Sequence, residues 1–282
     1  MAVPHIAPAA SLPPADLHAA FTAAFADYLI GPFKLALPAW QSFLASQGAD
    51  LDACRVALVD GGIVAFSLVA PRPELRSWRL ATMGALPAAR GSGAARALLD
   101  DFLDRARQAG MRTAELECFA QNERALRLYR GRGFESVAEL FGYVREPQAL
   151  QDGMPLVSAA ETVALEDAYA WLAAASRERG DLPLQVTDVS LRARTTPLQA
   201  LRIGRAQMVC TTTDAGVSIS SLVDMDASQA DAQKLVGSLL QHHAGQKIVV
   251  PQLQRHDVGG AALERLGFAR QPLHQVLMRR PL

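Results

Sequence analysis

Little in this 282-residue chain points toward a membrane, a disulfide framework or a nucleic acid. No uninterrupted apolar run reaches the roughly 18 residues that a membrane-spanning helix needs. Three cysteines, Cys54, Cys118 and Cys210, lie far apart in apolar, strand-like runs. An odd number without C-x-x-C spacing builds neither a disulfide network nor a zinc site, so buried free thiols suited to a reducing compartment are expected. Charge of one sign is lacking too, since Lys+Arg and Asp+Glu are equal at 28 each. That balance removes the cationic excess from which phosphate-neutralising binders draw affinity. The Ala- and Pro-rich start, Met1 to Pro14, has no basic region of the kind that opens a signal peptide. A cytoplasmic protein with no metal, no membrane and no nucleic-acid partner is the expectation.

What is present fits an ordinary globular protein, with 50% hydrophobic and 20% charged residues. The length suggests two domains. Apolar residues at helical spacing (Leu17, Phe21, Ala24, Phe25, Tyr28) predict a helix over Asp16 to Ile30, capped by Ser11 or Asp16 and stopped by Gly31-Pro32. A less regular helix follows over Pro38 to Gln47. Strands are expected at Cys54 to Asp60 and Ile63 to Ala70, turned at Gly61-Gly62, and at Ser77 to Leu86. Next come an amphipathic helix over Gly93 to Ala109, a strand over Arg112 to Phe119, a helix over Asn122 to Arg132 and a strand over Glu135 to Val144. This order implies an α+β fold with a mixed, mostly antiparallel sheet and flanking helices.

Two prolines and Gly153 break the pattern between Glu146 and Pro155, which places a boundary there: residues 1–147 form one domain and 155–282 the other. The second half reads as a helix (Glu161 to Arg179), strands (Leu201 to Thr212, Gly216 to Val223), a helix (Ala227 to His243), a strand (Lys247 to Leu253), a helix (Val258 to Leu266) and a strand (Leu273 to Arg279). Gly133-Phe134 recurs 134 residues later as Gly267-Phe268, and at that offset helix, strand and closing strand coincide. A tandem duplication is the expectation.

The run Leu86-Pro87-Ala88-Ala89-Arg90-Gly91-Ser92-Gly93-Ala94-Ala95 joins a strand to the strongest helix. Such a junction aims unpaired N–H groups and the positive helix end at one point, and its glycines admit a phosphate to the backbone. It is neither a Walker loop nor a dinucleotide fingerprint. Alone, it reads equally as a Gly-rich turn that starts a helix.

Arg90-Gly91-Ser92-Gly93-Ala94-Ala95 resembles the R-x-x-G-x-G/A acetyl-CoA signature of the GNAT superfamily of N-acetyltransferases, and Asn122 to Phe134 resembles its N-x-x-A-x-x-L-Y-x-x-x-G-F motif. The resemblance covers about residues 54 to 145. It implies that the backbone at Ala85 and Leu86 bonds the acetyl carbonyl and pantetheine arm, that Arg90, Gly91, Ser92, Gly93, Ala94 and Ala95 hold the pyrophosphate, and that Asn122 contacts the pantetheine. It also implies that Tyr129 protonates the departing thiolate, a role suited to a phenol that stays protonated at neutral pH. The alternative for Tyr129 is a core aromatic. Leu116-Glu117-Cys118 resembles the L-E-V strand of members that acetylate peptide N-termini, which makes Glu117 the candidate base; a salt-bridged or surface carboxylate is the equal alternative. Cys118 should face away from Glu117, into the core.

The acceptor, a small-molecule or peptide amine, is expected against the first helix, where Phe25, Tyr28 and Phe33 offer an apolar wall and Asp27 one carboxylate. At the 134 offset Asp224 replaces Arg90, Ala227 Gly93, His256 Asn122 and Leu263 Tyr129, so the second half resembles a GNAT fold without its cofactor chemistry. Closing the acceptor cleft, forming a homodimer and stabilising the first domain are the roles open to it. His242-His243 and His256-Asp257 read as solvated or helix-end histidines. The leading expectation is direct, acetyl-CoA-dependent transfer to a primary amine; the alternative is a non-catalytic acyl-CoA sensor or scaffold.

Overall fold

The turn that opens the first sheet is built by Asp60 and Gly61, which both adopt left-handed backbone (φ 50° and 80°). Two such residues in succession form the tight turn that matches strand twist, and Asp-Gly is a preferred pair for it. The turn thus sits one residue earlier than Gly61-Gly62, because Gly62 already pairs with Val59. The structure is a computed structural model that describes residues 4–148 and 160–282.

In chain order the elements begin with β1 (His5–Pro8), α1 (Pro14–Ala24), α2 (Trp40–Ser46), β2 (Arg55–Val59), β3 (Gly62–Arg72), β4 (Ser77–Ala85), α3 (Ala94–Gln108), β5 (Thr113–Phe119) and α4 (Glu123–Arg130). They continue with β6 (Glu135–Arg145), β7 (Glu161–Val163), α5 (Leu165–Arg179), α6 (Asp188–Arg192), β8 (Gln199–Ile203), β9 (Ala206–Thr213), β10 (Gly216–Asp224), α7 (Ala230–His242), β11 (Ile248–Arg255), α8 (Gly260–Arg265) and β12 (Ala269–Pro281). The mixed, mostly antiparallel fold is as the sequence implies. Helix α1 ends six residues before Ile30 and carries no side-chain cap, since Pro13 takes the cap position and Pro14 the first turn. Its early stop follows from the aromatic cluster: Phe33 N–H donates to the Phe25 carbonyl, and Phe33, Phe25, Phe43, Trp40 and Phe66 all pack on Phe21. The predicted strand over Leu201 to Thr212 is two strands, β8 and β9, paired from Ile203 and Ala206 onward.

The chain divides into two units, and not at the predicted boundary. One comprises Met1–Cys118, Asn122–Glu135 and Met278–Leu282; the other comprises Phe119–Gln121 and Ser136–Leu277. Most of the sequence break between 147 and 155 lies outside the described residues. The strand expected to close the first domain, β6, buries Phe141 and Tyr143 in the core of the second unit with Met208, Leu235 and Ile248. The first unit is closed instead by Met278–Leu282, the end of β12. Leu282 N–H donates to the Arg112 carbonyl, and Arg279 reaches the buried Glu115 carboxylate at 3.1 Å. Glu115, 1% exposed, also receives Arg72 at 2.5 Å, so its charge is met on two sides.

Within the first unit the sheet runs β1-β2-β3-β4-β5 and then the end of β12. Only β4 and β5 run parallel in that series of β1 to β5. Helices α1 and α2 cover one face with Phe21, Trp40 and Leu44 on Phe66 and Leu68, and α3 packs Ala94 and Leu98 on Ala57 and Ala65. In the second unit the sheet runs from β12 through β6, β11, β10, β9 and β8 to β7. Helices α7 and α8 contribute Leu235, Leu239 and Leu263 to one core, and α5 contributes Tyr169 and Leu172 to another. The series β2-β3-β4-α3-β5-α4-β6 recurs as β8-β9-β10-α7-β11-α8-β12. Gly133 and Gly267 both turn with positive φ before a buried Phe, which explains why that dipeptide marks the repeat.

Candidate functional site

Strands β4 and β5 pair in parallel from Ser77–Thr113 to Leu80–Leu116 and then part. Beyond that point Ala81 to Leu86 are all partly exposed, so the strand edge at Ala85 and Leu86 borders an opening. The chain then passes a single turn at Pro87–Ala89 and two left-handed glycines, Gly91 (φ 88°) and Gly93 (φ 92°). A Cβ at either glycine would meet no atom within 4 Å, so these positions need glycine for their backbone angles, not for space. Helix α3 starts at Ala94, whose N–H meets the Ser92 hydroxyl at 3.3 Å, and its first turn carries no acidic residue. First-turn N–H groups and the positive end of the dipole therefore face the loop, a cradle that fits a pyrophosphate.

Arg90 is not free in this cradle. Its terminal nitrogens donate to both carboxylate oxygens of Asp27 at 2.5 Å, and one also donates to the Ala24 carbonyl at 3.2 Å. The guanidinium holds the Asp27 carboxyl below its ordinary range, and the carboxylate raises Arg90 in turn.

Four other side chains, Tyr129, Tyr28, Cys118 and Asn122, gather around α4 and the end of β5. Tyr129 projects from α4, 7% exposed, with its ring edge-on to Phe134 at 6.1 Å. Burial pushes its hydroxyl far above the usual phenol range, with Cys118 and Tyr28 adding to the shift. Burial likewise pushes Tyr28 up to about 12, opposed by a hydrogen bond from Asn122, and pushes the Cys118 thiol up to about 12. A thiol so placed stays protonated at neutral pH and is a poor acyl carrier. Asn122, implied to meet the pantetheine arm, caps α4 by accepting from Ala125 N–H at 3.2 Å while it bonds Tyr28. Phe25 is spent on the aromatic cluster, with Phe21 and Tyr28 each 4.9 Å away.

Glu117 is separated from this group by strand alternation, as expected for neighbours along a strand. Both its oxygens accept from Arg79, at 3.1 and 2.8 Å from Nε, and a terminal nitrogen comes to 2.7 Å. Both side chains are nearly inaccessible, so the ion-paired reading left open for Glu117 is the arrangement found. Sequence reasoning misses Arg79; its signal is a lone cation at an inward position of a strand-like run.

The second unit repeats this architecture and fills it. Strands β10 and β11 pair only at Val217–Ile248 and Ser218–Val249. The Gln254 amide then donates to the Leu222 carbonyl at 3.1 Å, two residues before the end of β10, as Met83 stands in β4. Between β10 and α7 the junction has five residues, 225–229, against eight between β4 and α3. Asp224, at the end of β10, accepts from Ala232 N–H and Asp226 N–H, both at 2.8 Å, and Asp226 accepts from Ser228 N–H at 2.9 Å. A built-in carboxylate occupies the helix end where an anion would bind. Leu263, in the place of Tyr129, is fully buried, and His256 lies 3.6 Å from Glu264. His242 and His243 bond the Ser238 carbonyl and Gln246. Among the described residues no cluster of three or more His, Cys, Asp or Glu could hold a metal, and no helix is long and apolar enough to cross a membrane.

Comparison with known proteins agrees with this geometry. Residues 17–134, less than half of the chain, match the family model for acetyltransferases of the GNAT family. No curated protein matches. A GCN5-related N-acetyltransferase from Sphaerobacter thermophilus is 14% identical with a TM-score of 0.62, covering 96% of this chain and 94% of its own. Another from Anabaena variabilis is 17% identical with a TM-score of 0.65, covering 99% and 72%. A provisionally named acetyltransferase from Pyrococcus horikoshii is 16% identical with a TM-score of 0.67, covering 99% and 89%. At these identities the likeness is one of fold, and it extends over both units. Residues 17–134 of this chain therefore match the GNAT acetyltransferase family in sequence, and the fold around them agrees with that match.

Proposed function

We propose that the first unit transfers an acetyl group directly from acetyl-CoA to a primary amine. The observation that carries this reading is the parting of β4 from β5 beside a glycine cradle at the start of α3, with Tyr129 buried near the same opening. Backbone groups at Ala85 and Leu86 would receive the pantetheine arm, and amides from Gly91 to Ala95 the pyrophosphate. Acetyl-CoA supplies an acyl group on a good leaving thiol. The protein's part is to hold it in line with the amine and to steady the charge that collects on sulfur.

The burial of Tyr129 sharpens its role. Burial favours the neutral, protonated phenol, which is held ready to donate to sulfur as its bond to carbon breaks; the proton gained by the thiol is balanced by the one the amine gives up. Glu117 is the proposed acceptor of the amine proton, acting through water while Arg79 holds its carboxylate in place.

Calorimetry with acetyl-CoA and thiol release on a panel of amines test the reading. Tyr129→Phe should slow release about 100-fold while changing cofactor affinity less than about threefold. Release as fast as wild type would remove Tyr129 from the chemistry and favour a protein that only binds acyl-CoA. Glu117→Gln should lower release most where the amine is protonated and recover as pH rises; a uniform loss at every pH would leave Glu117 with Arg79 alone.

A further inference from the structure

Arg90 and Asp27 lie 63 positions apart, one in the cofactor cradle and the other just beyond α1 on the acceptor side. The carboxylate takes both terminal nitrogens of the guanidinium, and the Ala24 carbonyl at the end of α1 takes a third bond. Arg90 thus gives the frayed end of α1 a cation, which a helix C-terminus favours. One residue further, Tyr28 bonds Asn122, the cap of α4, and stacks edge-on against Phe25 at 4.9 Å. Residues 27 and 28 therefore touch both motifs of the donor half, the glycine cradle through Arg90 and the start of α4 through Asn122.

We propose that Arg90 and Asp27 are a positioning pair: they fix residues 24–28 across the β4–β5 opening, and Arg90 is not the ligand of the donor's phosphates. This rests on the acetyl-CoA reading above. With Arg90 neutralised by Asp27, diphosphate recognition falls to the backbone amides of Gly91 to Ala95 and the start of α3. The segment that carries Phe25 and Tyr28 is then coupled to the donor loop through one ion pair. The pair is partly exposed (30% and 55%), so it is a device that salt or substitution can open without disturbing the core.

The full-length chain offers a direct reporter. Lys34 is exposed in the irregular stretch after Tyr28, and Lys234 and Lys247 serve as controls for a lysine-specific protease. Asp27→Asn and Arg90→Gln should each speed cleavage at Lys34 about threefold, the scale of a well-formed exposed ion pair, with no change at the control lysines. The reversed pair Asp27→Arg with Arg90→Asp should restore wild-type cleavage within about twofold. Calorimetry should find acetyl-CoA affinity nearly unchanged in Asp27→Asn. Two outcomes overturn the proposal: unaltered Lys34 cleavage in both single variants, or binding weakened tenfold by Arg90→Gln and tightened by Asp27→Asn, which would make Arg90 a phosphate ligand that Asp27 withholds. A wild-type chain that bound no acetyl-CoA would defeat the proposed function and leave the cleavage result to judge the pair.

Discussion

Arg79 and Glu117 show how one residue pair changes the reading of a site. Strand alternation separates Glu117 from Cys118 already in the sequence, but nothing in the local pattern announces Arg79 as the partner of Glu117 on the neighbouring strand. Removing one member of such a buried pair strands the other charge, so Arg79→Met should destabilise the protein by about 3 kcal/mol in chemical denaturation. Adding Glu117→Leu to that variant should recover most of the loss; if the double variant is no more stable than the single, the pair is not what Arg79 supports. The buried thiols supply a pH dependence. Cys54, Cys118 and Cys210, ordinarily near 9.0, are pushed up to about 11, 12 and 11 by burial. Below pH 9 their contribution is fully present; above it the unfolded chain gives up protons that the folded chain keeps, and stability falls as pH rises toward those values. The melting temperature should therefore decline steadily between about pH 9 and pH 11. A flat profile there would mean that the thiols open to solvent before the fold does.

At the scale of elements the sequence is most legible where a period and its punctuation agree. Helix α3 and strands β2 to β5 fall within a few residues of their predicted bounds, and the glycine junction before α3 has the backbone its composition promises. The end of α1 is not legible, because its helical spacing continues through Phe25 and Tyr28 while tertiary aromatic contacts turn the chain back at Ala24. The partners of Arg90 and Glu117 are hidden for a similar reason: they come from other elements. In the second unit, Asp224 stands out in the sequence as a charge that would repel phosphate. Its place at the end of β10 makes it an internal anion that satisfies two N–H groups, which closes that helix end to phosphate more firmly than repulsion alone. Asp224→Ala should accordingly cost about 2 kcal/mol, measured by denaturant unfolding, since both donors are left in a buried site. A cost near zero would mean that water replaces the carboxylate there.

For the whole molecule, the recurring order of elements is legible in the repeated Gly-Phe and in the sequence pattern, but the composition of each unit is not. Pattern assigns β6 to the half in which it is written, whereas Met278–Leu282 completes the first unit and β6 the second. Deleting Met278–Leu282 removes Arg279 from Glu115 and uncovers the edge of β5 at Arg112. The deleted chain should lose acetyl-CoA binding in calorimetry and the native near-ultraviolet circular dichroism of Trp78 and Tyr129; retention of both would make the segment dispensable. The same arrangement has a consequence for synthesis. A ribosome that has finished residue 135 must still add the chain as far as 278 before the first unit can acquire its last strand, an interval of roughly 7 to 30 s at ordinary elongation rates. The half of the message translated first is thus the half whose protein is finished last, and during that wait the edge of β5 is a natural client surface for a chaperone.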